Sequence, residues 1–209
     1  MSIIRTVIMP LTLMLLSPGQ ARADDFAKGM DAYVAGKHKT AFKLLKPAAE
    51  AGDQRAYYRV AVMYDLGQGV RAHKLAALAW YRIAADHDPR AQVAMAERLM
   101  EGRTIVRDQK AAIDWYRKAA SQGNLTALLR LGRAYRDGDG VQKDVVLAHV
   151  FASIHVRRWG KKDLAERDKI SKELASVLTG EQRAESEELQ FNGMDALKDL
   201  PLSSKTGSK

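Results

Sequence analysis

The sequence predicts an all-α solenoid of about four stacked helix pairs, closed at its far end by capping helices. Three observations predict it. The stretch Ala112-Ile-Asp-Trp115-Tyr116-Arg-Lys-Ala119-Ala120 recurs as Ala77-Leu-Ala-Trp80-Tyr81-Arg-Ile-Ala84-Ala85, and more faintly from Ala41 to Ala49 and from Ala148 to Val156. The anchors Ala41, Ala77, Ala112 and Ala148 stand 36, 35 and 36 residues apart, a period of one supersecondary unit per repeat. Within each repeat, small and apolar residues return at spacings of three and four, which places them on one helical face.

The first residues read differently. Met1 to Ala23 carries Arg5, an apolar run from Val7 to Leu16, and the small-residue ending Ala21-Arg-Ala23. This is the three-part pattern of a secretory signal peptide over residues 1–23. The apolar run is half the roughly 20 residues a membrane span needs and contains Pro10, so no stable membrane insertion is expected once the signal is removed. Cleavage after Ala23 would remove Arg5 and Arg22 and no acid, lowering the formal charge from +9 to +7. The chain has no Cys, which excludes disulfides, thiolate metal sites and a Cys nucleophile. Stability must come from packing, and the chain is long enough to bury a sizeable core.

The units are predicted at residues 25–53, 54–88, 89–123 and 124–160. Each opens with a first helix ending in glycine. Ala127, Leu131-Gly132, Tyr135 and Gly138 have counterparts in Ala56, Val60-Ala61, Tyr64 and Gly67, in Ala91, Met95-Ala96, Leu99 and Gly102, and faintly in Met30, Tyr33 and Gly36. Small residues at 61, 96 and 132 would let the paired helix approach closely, and Gly67, Gly102 and Gly138 stand where a helix end needs a left-handed residue. Similar loops follow, Gly67-Gln-Gly-Val70, Gly102-Arg-Thr-Ile105 and Gly138-Asp-Gly-Val141. Asp108 and Asp144 are then placed as N-caps of the second helices, and His73, in the equivalent position, should cap less well. The second helices are expected to bury Ala77/Trp80/Ala84, Ala112/Trp115/Ala119 and Ala148/Phe151. Pro47 should kink the second helix of the first unit, while Asp88-Pro89 suits the start of the third unit. After the repeats, capping helices are predicted over 163–190, the first using Leu164, Ile170, Leu174, Val177 and Leu178, the second opened by the capping box Thr179-Gly-Glu-Gln182. Residues 191–209 read as a disordered tail.

Leu131-Gly-x-x-Tyr135-x-x-Gly138-x-Gly140-Val141, an Asp three residues on, and Ala112-x-x-Trp115-Tyr-Arg-Lys-Ala119-Ala-x-x-Gly123 resemble the Sel1-like repeat, a relative of the tetratricopeptide repeat. The third unit departs from the pattern at Leu99 and Thr104, the fourth at Ala152 and His155. The resemblance implies a right-handed solenoid whose first helices line a concave face. It also implies a non-enzymatic adaptor or regulator, monomeric and without cofactor, that binds a protein or peptide of the bacterial cell envelope. Carried over residue by residue, the concave positions are Arg55, Tyr58, Val62, Val93, Glu97, Glu101, Leu129, Arg133 and Arg136. With the leader, this gives an expected location across the inner membrane, in the periplasm.

Other chemistry is weighed against that expectation. Asp137-Gly-Asp139-Gly140 opens like a calcium loop, but its fifth position is Val141 and its twelfth Ala148, neither an oxygen ligand. The five histidines, at 38, 73, 87, 149 and 155, show no metal spacing, and Asp86-His87-Asp88 has no nucleophile beside it. Arg157, Arg158, Lys161 and Lys162 form the densest basic patch, with one aromatic, Trp159, too little to argue for nucleic acid. Binding an anionic envelope polymer through this basic surface is the alternative function. A β-lactamase-like hydrolase, a reading attached to cysteine-rich relatives, lacks both the cysteines and a suitably placed Ser-x-x-Lys set.

Overall fold

A computed structural model describes residues 18–153 and 161–191. These form ten α-helices and, among the described residues, no strand: α1 (Pro18–Val34), α2 (His38–Glu50), α3 (Gln54–Leu66), α4 (Lys74–Ala84), α5 (Pro89–Glu101), α6 (Gln109–Ser121), α7 (Leu125–Asp137), α8 (Val145–Ser153), α9 (Lys161–Val177) and α10 (Gly180–Phe191). Each helix packs on the next in chain order through α9, and α10 returns to α8. The architecture is the all-α solenoid of helix pairs that the repeat predicts. The apolar run of the leader and residues 192–209 of the predicted tail lie outside the described residues. Helix α1 begins at Pro18 and runs without a break through the predicted cut after Ala23, because Gln20-Ala-Arg-Ala23 contains no helix breaker.

The punctuation acts as the residue types dictate. Asp53, Asp88, Asn124, Asp108 and Asp144 each accept a backbone amide of the first turn that follows. His73 caps too, its Nδ1 accepting from the Ala76 amide at 3.1 Å; a neutral imidazole offers one ring acceptor in the place of a carboxylate oxygen. Gly67, Gly102 and Gly138 close the first helices in the left-handed region. The three loops are tied identically, with the amides of His73, Asp108 and Asp144 donating to the carbonyls of Tyr64, Leu99 and Tyr135, nine residues back, at 2.9–3.0 Å. The capping box is formed, with Thr179 and Gln182 exchanging bonds of 3.1 and 3.3 Å.

Small residues set the helix spacing. Ala61 and Ala96 are fully buried, and a Cβ on Gly132 would lie 3.3 Å from the Ala148 carbonyl of α8. The tryptophans, expected to be buried, are only half-buried; the tyrosines beside them, Tyr81 and Tyr116, take the core positions. Trp80 packs against the cores of the first and second units and Trp115 against those of the second and third. They are the mortar between units, and a ring that touches two cores cannot be enclosed by either. Gln92, fully buried, binds the Ala85 carbonyl at 2.9 Å and accepts from Gln122 at 2.8 Å, which ties the third unit's two helices to the turn before them.

The capping helices bury Ile170, Leu174 and Leu178, while Val177, expected inside, is exposed. Their joint with α8 is polar. His149 Nδ1 lies 2.8 Å from the fully buried Ser186 hydroxyl of α10, and Ser153 stands 2.9 Å from Ser171 of α9.

Candidate functional site

The lysines are segregated by helix, while the second helices α4 and α6 carry one arginine each, Arg82 and Arg117. Helices α3, α5 and α7 carry Arg55, Arg59, Arg90, Arg98, Arg130, Arg133 and Arg136 and no lysine, whereas Lys39, Lys43, Lys46, Lys74, Lys110 and Lys118 lie on α2, α4 and α6. A guanidinium is planar and weakly hydrated, so it stacks on rings and forks onto carboxylates where an ammonium stays in water. On the first helices that property is used in a ladder. Arg55 lies over Phe26 at 4.5 Å and Arg59 over Tyr33 at 4.2 Å, reaching from α3 to α1. Arg90 lies over Tyr58 at 4.4 Å, and Arg98 bonds Asp65 at 2.7 Å while covering Tyr81 at 4.2 Å, reaching from α5 to the second unit. Arg130 bonds Glu97 at 2.9 Å, reaching from α7 to α5. Each unit lays its arginines on the unit before it.

The predicted positions divide over this frame. Arg55 is held by its own N-cap, Asp53, through bonds of 2.9 and 2.7 Å, and that hydrogen-bonding holds the Asp53 carboxyl below the usual range. Arg136 is held in the same way by Asp137. Tyr58 is half-buried between Arg90 and Tyr81, whose ring centroid is 5.9 Å away; burial pushes its hydroxyl above the ordinary value, so it remains a donor. Val62 is half-buried in the second unit's core. Val93 and Leu129 correct the prediction: at 7% and 8% exposure they are packing residues with little surface to offer. Glu97 is engaged by Arg130, and Glu101 is exposed with no ion pair among the described residues. Burial, then the charges of Arg130 and Arg136, push the Arg133 guanidinium below its ordinary value. In the basic patch, Arg157 and Arg158 lie outside the described residues, and Lys161 and Lys162 open α9 with side chains also outside them.

A groove with room for about 600 Å³ opens beside this face, lined by Asp65, Lys74, Glu97, Arg98, Glu101 and Thr104 among others. Asp65 is its fixed point: burial pushes its carboxyl up, but Lys74 at 2.9 Å and Arg98 at 2.7 Å outweigh that and hold it low. The groove lies where the third unit departs from the repeat. In the second and fourth units the loop glycines Gly69 and Gly140 have φ of +74° and +76°, and their backbone presses on the start of the preceding second helix, where a Cβ would come within 2.2 Å of the His38 carbonyl and 2.5 Å of the Gln109 carbonyl. Thr104 stands in that place in the third unit, and no non-glycine residue among those described has positive φ, so this loop does not close in the same way. A second groove, of about 440 Å³, runs between α7 and α9 past Arg133, Arg136, Lys169 and Glu173.

Sequence reasoning missed Arg59, Arg90, Arg98 and Arg130. Part of their signal was present: Arg90, Arg98 and Arg130 follow Tyr58, Asp65 and Glu97 of the preceding first helix by 32 or 33 residues, just under one repeat, whereas Arg59 follows Tyr33 by only 26.

Comparison with known proteins agrees with the fold. The profile of the Sel1 repeat matches residues 33–53, 54–88, 89–124 and 125–152. Among solved structures, a Sel1 repeat protein from Oxalobacter formigenes is 28% identical, with a TM-score of 0.57 over 66% of this chain and 60% of that one. The protein c5321, a protective antigen of uropathogenic Escherichia coli strains displaying an SLR fold, is 22% identical, with a TM-score of 0.52 over 90% of this chain and 50% of that one. The chain therefore spans three-fifths and half of these two molecules. No protein in the curated set matches it. No helix among the described residues is long and apolar enough to cross a membrane.

Proposed function

We infer a function from the fact that this chain belongs to the Sel1 repeat family, whose profile covers more than half of it. Proteins of this family generally mediate protein–protein interaction and are typically non-enzymatic scaffolds. The chain is an exported adaptor or regulator that holds a protein or peptide of the cell envelope against its first helices. The observation that carries this reading is the arginine ladder across α1, α3, α5 and α7. Guanidinium groups fixed by rings and carboxylates present donors and aromatic edges with little entropy left to lose, and Arg and Tyr are the residue types that dominate interface energetics. Export is supported by the basic, apolar and small-residue order of residues 1–23.

The test is retention of envelope-extract proteins by the immobilised chain and by a Glu101→Arg/Arg133→Glu variant, two positions on the face that are not in the core. One protein retained by the parent and lost by the variant, with melting temperatures within a few degrees, is the expected result. Material retained equally by both and released by about 0.5 M salt would instead mark diffuse attraction to a polyanion.

A further inference from the structure

The arginine ladder is almost fully committed, and the exception locates an anchor. Among the described residues, Arg55, Arg90, Arg98, Arg130 and Arg136 each hold a carboxylate, and Arg133 is engaged as well. Arg59 has only a ring beneath it. Its guanidinium lies 4.2 Å over Tyr33 and no carboxylate among the described residues meets it. That ring is itself pinned, with its hydroxyl donating to Gln68 at 2.7 Å and its edge against His38 at 5.2 Å. Next to Arg59 on α3, the Tyr58 ring is clamped by Arg90 and Tyr81, and its hydroxyl makes no hydrogen bond among the described residues. The charge of Arg59 acts on that hydroxyl.

From this arrangement we propose that Arg59 and Tyr58 form the carboxylate anchor of a polypeptide-binding site, Arg59 donating through its fork and Tyr58 through its hydroxyl. The proposal rests on the interaction reading above. A guanidinium stacked on one ring has that face covered and leaves its N–H edges available, which is the geometry that receives a carboxylate by two parallel bonds. The charge of the site selects the ligand class. Asp88 and Glu97 also act on Tyr58, and Arg59 is the one ladder arginine there that meets no carboxylate among the described residues, which matches a singly charged carboxylate rather than a phosphate dianion. A C-terminal carboxylate and an Asp or Glu side chain share this chemistry.

The test selects, on the immobilised full chain, from a pool of random dodecapeptides displayed with free C-termini, then titrates the retained peptides against variants. Arg59→Gln is expected to weaken them about ten- to a hundred-fold, the span of a lost charged hydrogen-bond pair. Arg59→Lys should recover only part of the loss, because an ammonium keeps the charge without the fork. Lys110→Gln, which removes an exposed cation from the second helix α6 outside the first-helix face, should stay within about twofold. Loss on amidating the peptide assigns its C-terminus, and loss on replacing its Asp or Glu by the amide assigns a side chain. Peptides held within twofold by Arg59→Gln but weakened by Glu101→Arg would overturn the anchor and leave the interaction reading intact. Failure of the parent chain to retain any peptide would overturn both. Equal retention of polyglutamate by the parent and Arg59→Gln would replace the anchor with diffuse charge.

Discussion

Asp108 gives one carboxylate oxygen to the Ala111 amide at 2.9 Å, and in doing so fixes where α6 begins. Such a cap replaces water at an amide that has no partner inside the helix. Asp108→Ala is therefore expected to lower stability by about 1 kcal/mol in urea unfolding, and His73→Ala, which removes the same bond from α4, by a similar or smaller amount. The second telling residue is His149. It occupies the repeat position held by Leu78 in α4 and by Ile113, 1% exposed, in α6, so an apolar core site has become a titratable one. Burial, then the charge of Arg183, push its imidazole below the ordinary 6.5, against a smaller opposite effect of Glu187. A folded-state value below the unfolded one means that the unfolded chain binds the proton first, so stability is present above pH 6.5 and is lost as pH falls through the folded value. The melting temperature should decline between pH 7.5 and 5.5 for the parent and stay level over that window for His149→Leu. The carboxylates of Asp53, Asp65 and Asp137, held below 3.8 by their cations, act in a separate, more acidic window by the same sign.

At the scale of elements, the loops between first and second helices decide how units sit on each other. Gly140 both turns left-handed and lets its loop touch the start of α6, whereas Gly138 has the left-handed turn alone, its nearest Cβ neighbour being 3.7 Å away. An alanine at either position meets the backbone penalty of roughly 1 kcal/mol. At Gly140 it also drives a methyl into the Gln109 carbonyl. Gly140→Ala should thus cost clearly more than Gly138→Ala in a denaturant series, by about 1 kcal/mol or more, and equal costs would show that the loop contact contributes nothing. The same comparison explains the groove at Thr104, since a residue with a Cβ cannot follow the path that Gly69 and Gly140 take. Caps, glycines and capping box were legible in the sequence because each acts within four or five residues of itself. The half-burial of Trp80 and Trp115 was not, because it depends on where the next unit's core lies.

For the whole molecule, three core clusters follow one another along the solenoid; Trp80, with Tyr57 and Tyr64, joins the first two, and Trp115 joins the second to the third. In a repeat array, cooperativity is carried by such unit-to-unit interfaces. Trp115→Ala is expected to cost about 2–4 kcal/mol and to split the unfolding curve into an N-terminal and a C-terminal transition, while a single, shifted transition would place the coupling elsewhere. The sequence by itself determined the number of units, the order of their helices, the family and the residue types of the first-helix face, since these follow from a period of 35 to 36 residues and from local helix grammar. Only the tertiary structure decided which face residues are spent on each other. Val93 and Leu129 became core, Arg55 and Arg136 were taken by neighbouring acids, and Arg59 was left on its ring. Periodicity fixes the direction a side chain leaves its helix, but whether it meets water, a carboxylate or a ring depends on what the adjacent unit presents across the gap.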